Sequence, residues 1–153
     1  MHLLPPLSLL KLLVLLGLSS ICTGLSAQPE LSWSAGHANA LIPGQSVSAG
    51  YLSITNAGDE DDRLISLSTE AAAMVQVHES AMSDGMMTMR HIESLLIPAG
   101  ETIEFQPGGL HLMIMGVDQE AFSSDSIDLQ LNFESGAELS VSLPIKSMLS
   151  GHH

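Results

Sequence analysis

The 153-residue chain carries a formal charge of −13 at pH 7, with 17 acids against four strong cations, a single cysteine and 3% aromatic residues. No basic patch can be assembled from that balance, which makes nucleic acid an implausible partner. The length favours one domain once a leader is set aside, and with so few aromatics Leu, Ile, Val and Ala must fill its core.

Residues 1–27 resemble a secretory leader. Lys11 is the only strong cation before the apolar run Leu12–Leu18, and small or polar residues follow through Ser19, Ser20, Thr23, Gly24, Ser26 and Ala27. That order is the n-, h- and c-region order of a signal peptide. The run is short for a membrane span, which takes about 20 apolar residues, so an uncleaved anchor is the lesser reading. The favoured cut follows Ala27, with Gly24 and Ser26 as alternatives. Cys22 lies inside the leader, and Ile21 before it is too large for a lipoprotein signal. After such a cut no cysteine remains, hence no disulfide, no thiolate zinc site and no Cys-ligated blue-copper centre.

From residue 28 onward the chain reads as short strands separated by turns. Ser32–Ser34 around Trp33 predicts a first strand, and Ile42-Pro43-Gly44 a loop. Ala49–Asn56 alternates, with Tyr51 facing away from Leu52 and Ile54. Arg63–Ser68 predicts a strand that buries Leu64, Ile65 and Leu67, and Ala71–Ala73 reads as one helical turn or a loop. Met74–Glu79 puts Val75 and Val77 on one face and Met74, Gln76 and His78 on the other. Residues 80–85 read as a polar turn. Met86–Glu93 then returns with Met87, Met89 and His91 on a common face. Thr102–Gln106 predicts a strand, and Pro107-Gly108-Gly109 turns the chain into His111–Met115. There His111, Met113 and Met115 share one face, while Leu112 and Ile114 take the core side. Ser126–Phe133 and Glu138–Ile145 flank Ser135-Gly136 as a hairpin. About eight or nine short strands at this spacing predict an all-β, antiparallel Greek-key sandwich over residues 28–145, with a short flexible tail at 146–153.

Four residues carry the chemistry. His78 and Met89 are separated by ten residues, Met89 and His111 by 21, and His111 and Met113 by one. Two imidazoles and two thioethers are all neutral at pH 7. Thioethers are poor ligands for Zn²⁺, Mg²⁺ and Ca²⁺ and suit Cu(I). Neutral donors also leave the charge of a divalent ion uncompensated. The bland alternatives are surface histidines and core methionines. Alternation argues against core packing for Met113, less so for Met89, where Met86 and Met87 blur the pattern. Met74, Met82 and Met86 read as packing or loop residues. Met87 and Met115 are auxiliary candidates, and His91 shares the face of Met89 but stays outside the ligand set. His37 reads as a surface residue, and Trp33 and Tyr51 as packing anchors. Glu79, Asp84 and Glu93 are placed to balance a cation's charge at longer range.

The four positions, together with Ile97–Thr102, Gln106–Met113, Gly50-Tyr51 to Asn56, and Trp33, resemble the periplasmic copper chaperones of the PCu(A)C type. The resemblance implies a cupredoxin-like β-sandwich that holds Cu(I) through His78, Met89, His111 and Met113. It implies a monomeric, non-enzymatic periplasmic carrier that delivers copper by ligand exchange to cytochrome c oxidase subunit II, beside Sco-type chaperones. Met148, His152 and His153 make the tail a candidate secondary site for Cu(II). The alternative is a copper storage or resistance protein with the same ligands and no specific acceptor. An electron carrier would need the missing Cys ligand, hydrolysis would need a base and nucleophile pair that is not found, and an adhesive sandwich would not need the ligand register.

Overall fold

Alternating apolar and polar residues form ten strands in the computed structural model, which describes residues 29–147. These are β1 (Leu31–Asn39), β2 (Val47–Asn56), β3 (Asp62–Ser68), β4 (Ala72–Ser83), β5 (Met86–Ile92), β6 (Leu95–Ile97), β7 (Thr102–Glu104), β8 (Leu110–Val117), β9 (Ser126–Phe133) and β10 (Glu138–Lys146), with one 3₁₀ turn at Ala121–Ser123. The expected leader, with Cys22, lies outside the described residues, as do Met148, His152 and His153.

The strand order is β5-β4-β8-β2-β1-β10-β9-β3-β6, and β7 pairs with β2 beyond the point where β8 leaves it. One sheet runs from β5 to β1, the other from β10 to β6. They are joined where Ala38 and Asn39 lie parallel to Ile145 and Lys146. Leu52, Ile54, Val75, Val77, Leu112 and Ile114 from the first sheet meet Leu64, Ile127, Leu129, Leu131, Phe133, Val141 and Leu143 from the second in one core. The result is the all-β sandwich that the alternation implies, apart from the parallel β1–β10 junction.

Several local expectations are corrected. β1 extends from Trp33 to Asn39 through a bulge after Ser34, where Ala35 takes a φ of +44°. Ala72 pairs with Val117, so β4 opens at Ala72 and only Ala71 stays in the connecting turn, where one helical turn or a loop was expected over Ala71–Ala73. β4 continues through Ser83, which leaves only Asp84-Gly85 as the turn. Leu95–Ile97, passed over in the sequence, is an edge strand on β3. The strand expected at Thr102–Gln106 ends at Glu104. Ile65 is 49% exposed because it alternates with the buried Leu64, and the register shift between Leu64 and Ser66 then turns Leu67 inward.

Two buried polar side chains fix the loops. Asn56, fully buried, donates from Nδ2 to the carbonyls of Glu60 (2.7 Å) and Ile97 (3.1 Å) and accepts from the Gly58 N–H (3.1 Å). Asp62 accepts from the N–H groups of Arg63 and Ser135 and from the Ser135 hydroxyl at 2.6 Å. An Asn56→Leu change leaves two carbonyls and one amide without their partner. We expect it to cost at least about 2 kcal/mol, read as a lower urea midpoint with an unchanged slope.

Candidate metal centre

The outward face of the first sheet is decided by the residues that cannot face outward. Leu112, Ile114, Val75 and Val77 are buried in the core. Alternation then sends His111, Met113 and Met115 of β8, and Met74, Gln76 and His78 of β4, to the opposite face. Register aligns them. His78 lies opposite His111, Gln76 opposite Met113, and Met74 opposite Met115. On the other edge of β4, His91 lies opposite His78 and Met89 opposite Ser80.

The three imidazoles therefore form a row across β8, β4 and β5. Ring centroids are 6.0 Å apart for His78 and His111, and 5.5 Å apart for His78 and His91. Met89, His111 and Met113 line one open depression of about 350 Å³ with Tyr51, Ser80 and Pro107. His78 is not in that lining and stands beside His111 on the next strand. Of the four residues singled out from the sequence, three thus share a depression and the fourth flanks it. A larger groove of about 750 Å³, lined by Trp33, Glu70 and Asp128 among others, includes no His or Met.

Hydrogen bonding sets which nitrogen of each histidine is free. The Nδ1–H of His111 donates to the Gly109 carbonyl at 3.1 Å, which leaves Nε2 with its lone pair. That carbonyl also accepts from the Ser80 N–H at 3.0 Å, so one oxygen ties the ring to β4. It is presented by a turn in which Pro107 precedes Gly108, whose φ of +81° favours glycine. For His78 the Nε2–H donates to Gln76 Oε1 at 3.1 Å, because an amide oxygen can only accept. The lone pair is then on Nδ1. That Nδ1 is buried and is the one such side-chain atom among the described residues without a partner. An unsatisfied buried nitrogen costs about 1–3 kcal/mol and calls for a cause such as a bound ion.

His111 is 8% exposed, so the outward strand face is covered at this point. Met113 is half-buried, while Met89 on the edge strand is 51% exposed. Glu79 does not serve as a counter-charge. It sits on the alternate face of β4, and its carboxylate is paired with Arg90 at 2.6 Å. The supporting roles of Gln76 and of the Gly109 carbonyl could not be found in the sequence, since both depend on register. The nearness of His91 to His78 could have been, because Asp84-Gly85 is a two-residue turn that fixes that pairing.

Burial holds His78 below the ordinary histidine value, and the neighbouring His91 and His111 charges push in the same direction. His37, against Tyr51, is lowered by burial and then by Lys146. For a histidine with a lowered pKa the unfolded chain binds the proton more readily. Its stability contribution is complete above about pH 6.5 and is lost as pH falls through the folded-state value. We expect the apo protein to lose stability between pH 7.5 and 5, and His78→Gln to show a smaller loss. Urea midpoints at both pH values check this. Equal losses in the two proteins would contradict it.

Residues 31–145 match the family described as "Putative lipoprotein LpqE-like". The chain belongs to the LpqE-like family. Over 104 residues this LpqE-like chain is 31% identical to "Putative lipoprotein Lxx21020" of Leifsonia xyli subsp. xyli, a match covering 67% of this chain and 63% of that relative. It spans, then, less than two thirds of that relative's length. The solution structure of CuI-DR1885 from Deinococcus radiodurans is similar at 26% identity with a TM-score of 0.63, covering 85% of this chain and 87% of that one. The copper-bound PCuAC domain from PmoF2 is similar at 17% identity with a TM-score of 0.65, covering 80% and 96%. The LpqE-like chain has the PCuAC domain fold, as its sequence resemblance implies.

Proposed function

We propose that this LpqE-like protein is a Cu(I) carrier whose cargo is held by His78, Met89, His111 and Met113 and released by ligand exchange. The observation that supports it most is the buried, unpartnered lone pair on His78 Nδ1, beside a depression lined by one further imidazole and two thioethers. No three His, Cys, Asp or Glu side chains converge as a metal group among the described residues. The depression instead offers the sulfur of Met89 and Met113, and thioethers select a soft monovalent ion. Similarity to a chain solved with Cu(I) points the same way. An open depression bordered by the half-exposed Met89 gives an incoming donor access to the ion, which suits transfer and requires no chemical turnover.

The proposed setting is the cell envelope, reached through the leader at residues 1–27 and consistent with the lipoprotein names of its family and relative. Within the periplasm the acceptor would be the copper centre of cytochrome c oxidase subunit II, with a Sco-type protein as co-worker. The test is an anaerobic transfer assay from the Cu(I)-loaded protein to an apo subunit II copper domain. Transfer is the expected result. Retention of copper against this acceptor and against a Sco-type protein would leave storage as the function.

A further inference from the structure

The hairpin formed by β4 and β5 carries an apolar load that is largely left to solvent. Met82, Met86 and Met87 are each 67% exposed, and no β5 residue from Met86 to His91 is buried. β5 is also the last strand of its sheet, with one edge unpaired. Edge strands are normally blunted by charge or proline, because exposed apolar edges invite association. Arg90 is the only charged residue on this one. Large exposed apolar side chains in such a place call for a use other than core formation.

Register indicates what the use is. Asp84 and Gly85 have φ values of +52° and +75°, which makes the connection a two-residue turn with both central residues left-handed. In such a hairpin the residues flanking the turn, Ser83 and Met86, are the hydrogen-bonded pair. The pairs Met82–Met87, Ser80–Met89 and His78–His91 then occupy non-hydrogen-bonded positions, all on one face. Such partners have Cα atoms about 4.5 Å apart, closer than at hydrogen-bonded positions. Three rotatable bonds let two facing methionines bring their sulfur atoms together. Met89 is two residues from Met87 on the same face of β5, so a third thioether borders the pair.

We propose that Met82 and Met87 form a second Cu(I) site on this hairpin, joined by Met89 as third donor whenever the four-ligand site does not hold it. Only the handover through Met89 to the four-ligand site rests on the function proposed above. Binding at the hairpin does not. All three donors are neutral thioethers, which need lose no proton and discriminate against hard ions. Of the neighbouring charges, Glu79 and Arg90 neutralise one another in an ion pair on the opposite face, which leaves the Asp84 carboxylate in the turn as the local negative charge. From the turn inward, the face then presents Met82 and Met87, Met89, His78 with His91, and finally His111. Exposed soft donors lie at the solvent end, and burial increases inward from the exposed His91 through the half-buried His78 to the buried His111.

The test is an anaerobic Cu(I) titration of protein labelled at the methionine methyl groups with ¹³C, followed by NMR through two equivalents. The Met82 and Met87 methyl signals are expected to move as the second equivalent is added, after Met113 has responded to the first. Because both side chains are solvent-exposed, Met82→Leu/Met87→Leu leaves the core untouched. This variant is expected to take up one equivalent fewer than the wild type, with the Met113 response preserved. Met82 and Met87 signals that stay fixed through two equivalents would overturn the proposal, as would a variant with undiminished capacity. If Met82 and Met87 respond while Met113 does not, the hairpin site stands and the four-ligand reading fails.

Discussion

His111→Ala is expected to weaken Cu(I) binding by on the order of 100-fold or more while leaving the β-sandwich folded. Loss of a supporting partner to a ligand already costs about 10- to 100-fold in affinity, and loss of the ligand itself exceeds that. His111 is the residue on which the rest of the arrangement converges. It faces His78 across the β4–β8 ladder, lies two residues from Met113, lines the depression with Met89, and is held by the carbonyl that also binds Ser80. Met113→Leu is the sharper companion, because it keeps the volume and removes only the sulfur. Competition against a Cu(I) chelator should show both losses, and circular dichroism should show unchanged strand content. A His111→Ala protein with wild-type affinity would remove this residue from the site.

The second large effect is on stability. Leu112 and Ile114 are both fully buried, and each alternates with a residue proposed as a ligand or its neighbour. Truncation of either to Ala leaves a cavity and is expected to cost about 2–5 kcal/mol. That is a large part of the 5–15 kcal/mol typical of a whole domain. Their role in the site is indirect. They fix the face that His111 and Met113 present, since a slip of one residue along β8 would exchange the two faces. Leu112→Ala should therefore lower the thermal midpoint strongly, whereas Met113→Leu, on the other face, should scarcely move it. Equal destabilisation by the two would contradict this division of labour between the faces of β8.

The contrast between these two faces is what the sequence made legible. On β4 and β8, single buried residues alternate with His and Met, so both the strands and the facing of His78, His111 and Met113 follow from period-two patterning. The β9–β10 hairpin follows from the same signal, with Ser135-Gly136 between two long alternating runs. The losses came where local pattern and long-range pairing differ. Leu95–Ile97 is too short to show a period, and it becomes a strand only because β3 offers it an edge. Ala71–Ala73 has no periodicity to read, and its backbone is fixed by Val117. Leu64, Ile65 and Leu67 cannot all face the core in a regular strand, and the bulge that reconciles Leu64 with Leu67 leaves Ile65 outside. In the candidate site, His78, Met89, His111 and Met113 were singled out by the family resemblance, which their spacing alone supports less strongly. The free nitrogen of each histidine depends on Gln76 Oε1 and the Gly109 carbonyl, and those contacts exist only after β4 and β8 have paired.

The most direct test of the central claim is X-ray absorption at the copper edge of the protein loaded anaerobically with one equivalent of Cu(I). The expected result is a mixed shell in which imidazole nitrogen and thioether sulfur both scatter, with the sulfur contribution reduced in Met113→Leu. A shell of nitrogen and oxygen alone, unchanged by that substitution, would contradict it.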